Sequence, residues 1–333
     1  MRIEAGRLRN ALNRIAAEDI GPSFHNESLR NHCSWRIGGP ADLLVVPGSP
    51  DQIRRLLLLA RENAVPLVVI GQGSNLLFGD EGVRGIVMKI GARMSGIRIN
   101  GTCITVDAGM WVPELARMAG KAGIKGLEHT VGIPGTVGGL VLMNGGSLRQ
   151  SIGMSVRKVF TMTSEGEHVT FAKEECGFAY RKSVFLENGN IILRVELEGD
   201  YGVQSSIRKK MLGILCDRRR KFPRKEANCG SVFLSDPETH STHGPPGKLI
   251  ENAKMKGIRV GDAQVSNKHA NFIINVGHAT AREVLSLMAK VISAVEKMTG
   301  HCMQSEVLFV TDQAKTIRAS DYLELMKSRG LLL

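Results

Sequence analysis

The chain has 333 residues, 43% hydrophobic and 23% charged, a balance that excludes disorder as the main state and, at about 150 residues per domain, gives a prior of two domains. Its longest purely apolar run covers residues 56–60, far short of the roughly 20 that span a bilayer, and the opening MRIEAGRLRN carries an acid among its bases with no apolar stretch behind them. It is therefore not read as a secretory signal, and a cytoplasmic protein is expected. The net charge of +12, from 44 Lys and Arg against 32 Asp and Glu, calls for an anionic partner; with aromatics at 5%, a polyanionic metabolite fits better than nucleic acid.

In chain order, residues 1–20 read as a short amphipathic helix with Leu8, Leu12 and Ile15 on one stripe. Residues 41–47 form an apolar strand, and 51–64 a helix with Asp51 as N-cap after Pro50. Strands are expected at 66–70 and 85–90, and a hairpin at 97–108 around Asn100-Gly101. Residues 113–122 are helical, with Pro113 in the first turn. From 156 to 197 strands dominate, with turns at Glu165-Gly166 and Asn188-Gly189. A basic helix spans 205–221, and a domain boundary is placed just before it, near Gly202. A short helix starts at Lys248 and a strand covers 271–276. Residues 280–298 give the clearest helix: Thr280 and Glu283 make a capping box, Val284, Leu287, Met288, Val291, Val295 and Met298 the stripe, and Gly300 the stop. A last strand, 303–310, precedes a short amphipathic tail at 311–333.

The six cysteines are scattered and none lies in a C-x-x-C pair, so no metal site and no thiol redox motif is expected. The 38 glycines cluster instead. Gly71-Gln72-Gly73-Ser74-Asn75 follows the strand PLVVI directly. Glycines let backbone N–H groups approach a phosphate, and Ser74 and Asn75 add donors. It is neither a G-x-G-x-x-G loop opening a helix nor a P-loop; alone, it reads equally well as a tight turn. A second loop runs Gly132-Ile133-Pro134-Gly135-Thr136-Val137-Gly138-Gly139. Two such loops argue for a dinucleotide clamped at its pyrophosphate, against the alternative of glycine-mediated packing.

Eight blocks, in order from about Ser28 to Val310, carry a resemblance. Residues 31–42, NHCSWRIGGPAD, are similar to the signature N-T-x-F-R-I-G-G-P-A-D of the UDP-N-acetylenolpyruvoylglucosamine reductase (MurB) family. Gly71-Gln72-Gly73-Ser74-Asn75-Leu76-Leu77 resembles its G-x-G-S-N-L-L loop. Gly126-Leu127-Glu128 with the second glycine loop and Met143-Asn144 resembles its G-L-E…G-I-P-G-T-V-G-G segment. Phe178-Ala179-Tyr180-Arg181-Lys182-Ser183, Asn228-Cys229-Gly230-Ser231-Val232-Phe233, Gly247-Lys248-Leu249-Ile250-Glu251, Gln264 to Phe272 (QVSNKHANF) and Glu306 in its final strand complete the set.

The resemblance implies an α+β chain with the vanillyl-alcohol-oxidase/PCMH-type FAD-binding fold and an additional α+β substrate-binding domain. It implies two FAD-binding subdomains, residues 1–90 and 91–202, with the strand 303–310 returning to the first. A substrate-binding domain at 203–302 and a C-terminal appendage at 311–333 follow. The implied activity is NADPH-dependent reduction of UDP-N-acetylenolpyruvoylglucosamine to UDP-N-acetylmuramate, an early step of peptidoglycan synthesis, by a monomer. Non-covalent FAD is then held by Arg36, Ile37 and Gly38, by Gly71, Gln72, Gly73, Ser74, Asn75 and Leu76, by Gly132, Ile133, Pro134, Gly135, Thr136, Gly138 and Gly139, and by Asn144.

The chemistry needs a cation where hydride addition builds enolate charge, and Arg181 resembles the family's residue for that task. Ser231 resembles the proton donor, and Glu306 the residue that polarises the substrate carboxylate with Arg181. Lys221, Lys248 and Gln264 are the implied substrate contacts, with Lys221 at the end of the run Arg218-Arg219-Arg220-Lys221. A charge run is usually a solvated face, so one or two of its members are assigned to substrate.

The chain departs from the family in places. Trp35 and His129 stand where phenylalanine is usual, and Cys229 where alanine is. Ser235 stands nearest the asparagine expected to hold uridine. The short span from Arg181 to Lys221 resembles the type without a tyrosine-bearing loop. The alternatives are a related flavoprotein oxidoreductase and a non-catalytic UDP-sugar binder on the same fold.

Overall fold

The computed structural model describes residues 5–235 and 237–330. The chain divides into two compact units. The first comprises Met1–His25, Leu43–Gln72 and Gly85–Arg220; the second comprises Asn26–Asp42, Gly73–Arg84 and Lys221–Leu333.

The first unit holds most of a four-stranded sheet ordered Ser23–Ser28, Pro40–Val45, Val83–Lys89, Leu67–Ile70. Its last pair is parallel, with Leu67 opposite Ile86 and Ile70 opposite Lys89. The helix Pro50–Glu62 lies along it and buries Ile53, Leu56, Leu57 and Ala60. Its N-cap is Ser49, whose hydroxyl accepts from Gln52 N–H at 3.2 Å, and Pro50 and Asp51 are already inside the first turn. Asp51 therefore serves the helix dipole rather than the cap, because a serine two residues upstream reaches the free N–H groups first.

A five-stranded antiparallel sheet follows, ordered His168–Ala172, Val156–Met162, Ile191–Glu198, Cys103–Asp107, Ile97–Asn100. The hairpin at its edge pairs Asn100 with Cys103, so its two-residue loop is Gly101-Thr102, one position later than expected. Gly101 supplies the left-handed conformation, φ +61°. At Asn188-Gly189 the chain turns at the end of a short helix, Phe185–Asn188, closed by Gly189 at φ +71°. One hydrophobic core joins both sheets, from Leu43, Val45, Ile86 and Met88 to Ile104, Val106, Val159 and Val195.

The basic helix Gln204–Lys221 buries Ile207, Met211 and Ile214 against Ala116 and Val131. Its packing surface thus lies in the first unit, and the unit boundary falls after it, at Arg220. The sequence boundary near Gly202 marks where the strands end; the three-residue apolar face of this helix is what decides its side.

The second unit contains a four-stranded sheet ordered Ala227–Asn228, Ile273–Asn275, Ala263–Val265, Arg259–Val260, all pairs antiparallel. The helix Ala281–Thr299 has the expected capping box at Thr280 and Glu283 and ends at Gly300, φ +73°. Its stripe is buried except for Met298, in the last turn, which is 45% exposed. A three-stranded sheet runs Thr316–Arg318, Leu308–Val310, Leu76–Phe78, with the last two parallel. The tail thus contributes a strand and the helix Ala319–Ser328.

Trp35, fully buried, locks the loop of the first motif to this unit. Its indole N–H donates to Ile273 C=O at 2.8 Å, and Asn275 Nδ2 donates to Trp35 C=O at 3.0 Å.

Candidate active site

In the first unit the two glycine loops meet. A Cβ on Gly71 would run into Thr136 Oγ1, and one on Gly138 would stand 3.0 Å from Ala108 Cβ. Thr136 caps the six-residue helix Val137–Leu142, its hydroxyl accepting from Gly139 N–H at 3.4 Å. Gly132 lies under the aliphatic stem of Arg218, which fills the place its Cβ would take. Arg218 is thus the member of the basic run that reaches a glycine loop. Bare glycine backbone flanked by a hydroxyl and a guanidinium suits a pyrophosphate. Gln72 and Pro134 are exposed, and Gly135 takes φ +136°.

Asn144 is turned inward. It is 5% exposed, its Oδ1 accepts from Gly153 N–H at 3.0 Å, and its Nδ2 donates to Ala179 C=O at 2.8 Å. Ala179 and Lys182 exchange both backbone bonds, so Tyr180 and Arg181 form a two-residue tip, with Arg181 at φ +51°. Ser183 hydroxyl donates to Leu142 C=O at 2.6 Å. Asn144 and Ser183 thereby tie the Arg181 turn to the segment after the second glycine loop. Arg181 is half-buried, with Nη2 at 3.4 Å from Gly146 C=O and its guanidinium 5.4 Å from the Tyr180 ring.

Glu128 and His129 are both buried at the entrance to that loop. Burial alone would raise the Glu128 pKa. The N–H groups of Glu128 and Gly126 and the Lys210 ammonium outweigh it and hold the carboxylate below its ordinary range. His129 Nδ1–H donates to Gly126 C=O at 3.1 Å, and burial holds the ring below the ordinary histidine value. A neutral ring with its proton on Nδ1 leaves Nε2 as an acceptor, and this atom is sealed from water without a partner among the described residues.

In the second unit three motifs far apart in sequence come together. Asn75 Nδ2 donates to Glu306 C=O at 3.0 Å, and Leu308 N–H to Asn75 C=O at 3.1 Å. Glu306 N–H donates to Val232 C=O at 2.8 Å, and Phe233 bridges Ser305. Ser231, partly exposed, therefore leads into a segment paired directly with the one carrying Glu306. Gly73, φ +65°, has no room for a Cβ against the His32 carbonyl, and Ser34 N–H donates to Gly73 C=O at 3.1 Å. Leu76 opens the parallel strand beside Leu308. Ser74 is half-buried in the same loop. In the first motif Ile37 is buried, Arg36 is exposed at φ +57°, and a Cβ on Gly38 would lie 2.7 Å from Phe78 Cβ.

Cys229 is buried beside Ser231. Burial, then Glu306, then Cys33 push its thiol well above the ordinary value, so it is a weaker acid than its residue type suggests.

Of the implied substrate residues, Gln264 lies in the sheet of this unit, and Lys221 and Lys248 each adjoin a residue packed on the segment 269–272. Phe222, next to Lys221, stacks on Phe272 at 5.1 Å. Gly247, next to Lys248, sits 3.1 Å from His269 by its Cβ position. Gln264 pairs with Ile274, and its Nε2 donates to Gly257 C=O at 3.1 Å. Lys221 and Lys248 are exposed. Asn271, quoted in a motif but given no role from the sequence, clamps the residues after Ser231. A polar residue between Ala270 and Phe272 at the mouth of an apolar strand was the available signal.

Comparison with known proteins adds the following. A family model described as UDP-N-acetylenolpyruvoylglucosamine reductase, C-terminal domain, matches residues 222–310, and an FAD binding domain matches residues 41–172. The chain is 43% identical to UDP-N-acetylenolpyruvoylglucosamine reductase 1 of Corynebacterium glutamicum, over 85% of each. It is 39% identical to UDP-N-acetylenolpyruvoylglucosamine reductase 2 of Symbiobacterium thermophilum, over 91% of this chain and 95% of that one. The crystal structure of the MurB reductase of Thermus caldophilus superposes with a TM-score of 0.73 at 31% identity, over 86% of this chain and 98% of that one.

Proposed function

The chain belongs to the UDP-N-acetylenolpyruvoylglucosamine reductase family, and from that premise we propose that Arg181, Ser231 and Glu306 perform its chemistry. It is an FAD-dependent oxidoreductase that reduces UDP-N-acetylenolpyruvoylglucosamine to UDP-N-acetylmuramate with NADPH, for peptidoglycan synthesis. When bound, FAD carries the hydride from NADPH to the enol ether. The contact between Gly71 and Thr136, with bare glycine backbone on both sides, fits that cofactor's pyrophosphate.

Hydride arrival at the enolpyruvyl double bond drives negative charge into the substrate carboxylate. The Arg181 guanidinium offers that group a bidentate fork, and Glu306 shares in polarising it. The Ser231 hydroxyl delivers the proton to the second carbon. A serine is a poor acid in water and works only beside a strongly basic enolate at hydrogen-bond distance. Lys221, Lys248 and Gln264 are assigned to the sugar nucleotide. The observation that carries the reading is the pairing of Val232 with Glu306, on which Asn75 of the glycine loop also closes.

The test is NADPH consumption by the purified protein with and without the enolpyruvyl sugar. Consumption that depends on the sugar is expected. S231A is expected to keep flavin bleaching by NADPH and to lose reoxidation by substrate by about 10²–10³-fold, the scale for a transition-state group. Equal loss in both half-reactions would make Ser231 structural.

The finer reading is a monomer acting in the cytoplasm, without nucleic acid or membrane. Among the described residues no helix is long and apolar enough to cross a membrane. Light scattering on the purified protein is expected to give the mass of one chain; twice that mass would overturn the monomer.

A further inference from the structure

We propose that Asn271 positions Ser231 for proton delivery. The inference rests on Ser231 being the proton donor.

Val232 and Phe233 are buried, 0% and 1% exposed, so their four backbone polar groups must all find partners. Three go to Asn271. Val232 N–H donates to Asn271 C=O at 2.9 Å. Phe233 N–H donates to Asn271 Oδ1 at 2.9 Å, and Asn271 Nδ2 donates to Phe233 C=O at 2.9 Å. The fourth, Val232 C=O, accepts from Glu306 N–H at 2.8 Å.

One side-chain amide thus stands in for a neighbouring strand, offering an acceptor and a donor as a peptide group does. Asn271 is 5% exposed and its own N–H donates to His269 Nδ1 at 3.2 Å. On the other side of Ser231 the chain turns at Gly230, left-handed at φ +88°, whose N–H donates to Asn228 Oδ1 at 3.0 Å.

Ser231 therefore sits between a glycine pivot and a clamped Val232. Without the clamp, Ser231 and Glu306 lose their common reference, and a misplacement of about 1 Å is enough for a loss on the order of 10²-fold in rate. Aspartate keeps the shape and the acceptor but sets a carboxylate oxygen against the Phe233 carbonyl.

The experiment resolves the two half-reactions of the FAD-loaded enzyme by stopped flow. N271A is expected to bleach with NADPH within twofold of the wild-type rate and to reoxidise with UDP-N-acetylenolpyruvoylglucosamine at least tenfold more slowly. N271D is expected to lie between, and it carries the same reading should N271A not fold. In an S231A background, N271A is expected to slow reoxidation by less than twofold further, because the group it positions is already gone. Equal slowing of both half-reactions, a wild-type reoxidation rate, or a full additional loss on S231A would overturn the proposal. S231A by itself separates the premises. If S231A reoxidises at the wild-type rate, the proton-donor assignment falls and this inference with it. If S231A is slow and N271A is not, only the inference falls.

Discussion

A neutral imidazole buried without an acceptor for a second proton makes the fold sensitive to acid. His129 is held below its ordinary pKa by burial, against the pull of the Gly126 carbonyl and Glu128, and the Lys210 ammonium pushes the same way as burial. The unfolded chain binds a proton at this residue near pH 6.5, the folded one only at lower pH. Stability is therefore full above about pH 6.5 and is lost as the pH falls from there through the folded pKa. His129→Phe removes both the titration and the sealed Nε2, losing one hydrogen bond to Gly126 C=O. Its denaturant midpoint is expected to fall less between pH 7.5 and pH 5.5 than that of the wild type. An identical fall in the two proteins would assign the acid sensitivity elsewhere, and His269, also lowered by burial, is the next residue to change. Cys229 illustrates the opposite case: its buried thiol stays protonated, so the nearby Ser231 has no thiolate competitor.

The element whose importance exceeds its sequence signal is the tail. Ala319 N–H donates to Val307 C=O at 2.9 Å, Ser320 N–H to Ser305 Oγ at 3.0 Å, and Arg318 Nη1 to Ser305 C=O at 3.0 Å. Tyr322 packs on Phe309 with ring centroids 4.2 Å apart, and Leu323 is 5% exposed. These contacts brace residues 305–309 on both sides of Glu306. Ending the chain at Asp312 strips them away. Leu323 alone is worth about 1.5–3 kcal/mol of burial. The shortened protein is expected to melt several degrees lower and to lose the substrate half-reaction before the NADPH half-reaction. An unchanged melting temperature would mean the brace is dispensable. At the same scale, the capping box at Thr280 and Glu283 was legible because its geometry is local, whereas the N-cap at Ser49 was missed by two positions because Pro50-Asp51 imitates a start.

At the scale of the molecule, the sequence by itself determined the family. Ordered blocks with glycines where no Cβ fits, as at Gly73 and Gly38, are a backbone requirement written into residue identity. It also determined most helices and strands, because their periods of 3.6 and 2 are local, and it named Arg181, Ser231 and Glu306. It did not determine where those residues stand. That Glu306 pairs beside Ser231, that Asn75 closes on Glu306 and Leu308, and that one amide at Asn271 replaces a strand edge are contacts across 38 to 231 positions. No local period encodes them. The same holds for Asn144, read from its motif as a cofactor contact, whose amide is taken up by Gly153 and Ala179. It holds too for the helix Gln204–Lys221, whose run of charge hides the three apolar residues that settle its unit. Only the tertiary structure decided these, because hydrogen bonds and burial are satisfied between segments, and a segment's own residues say only that a partner is required.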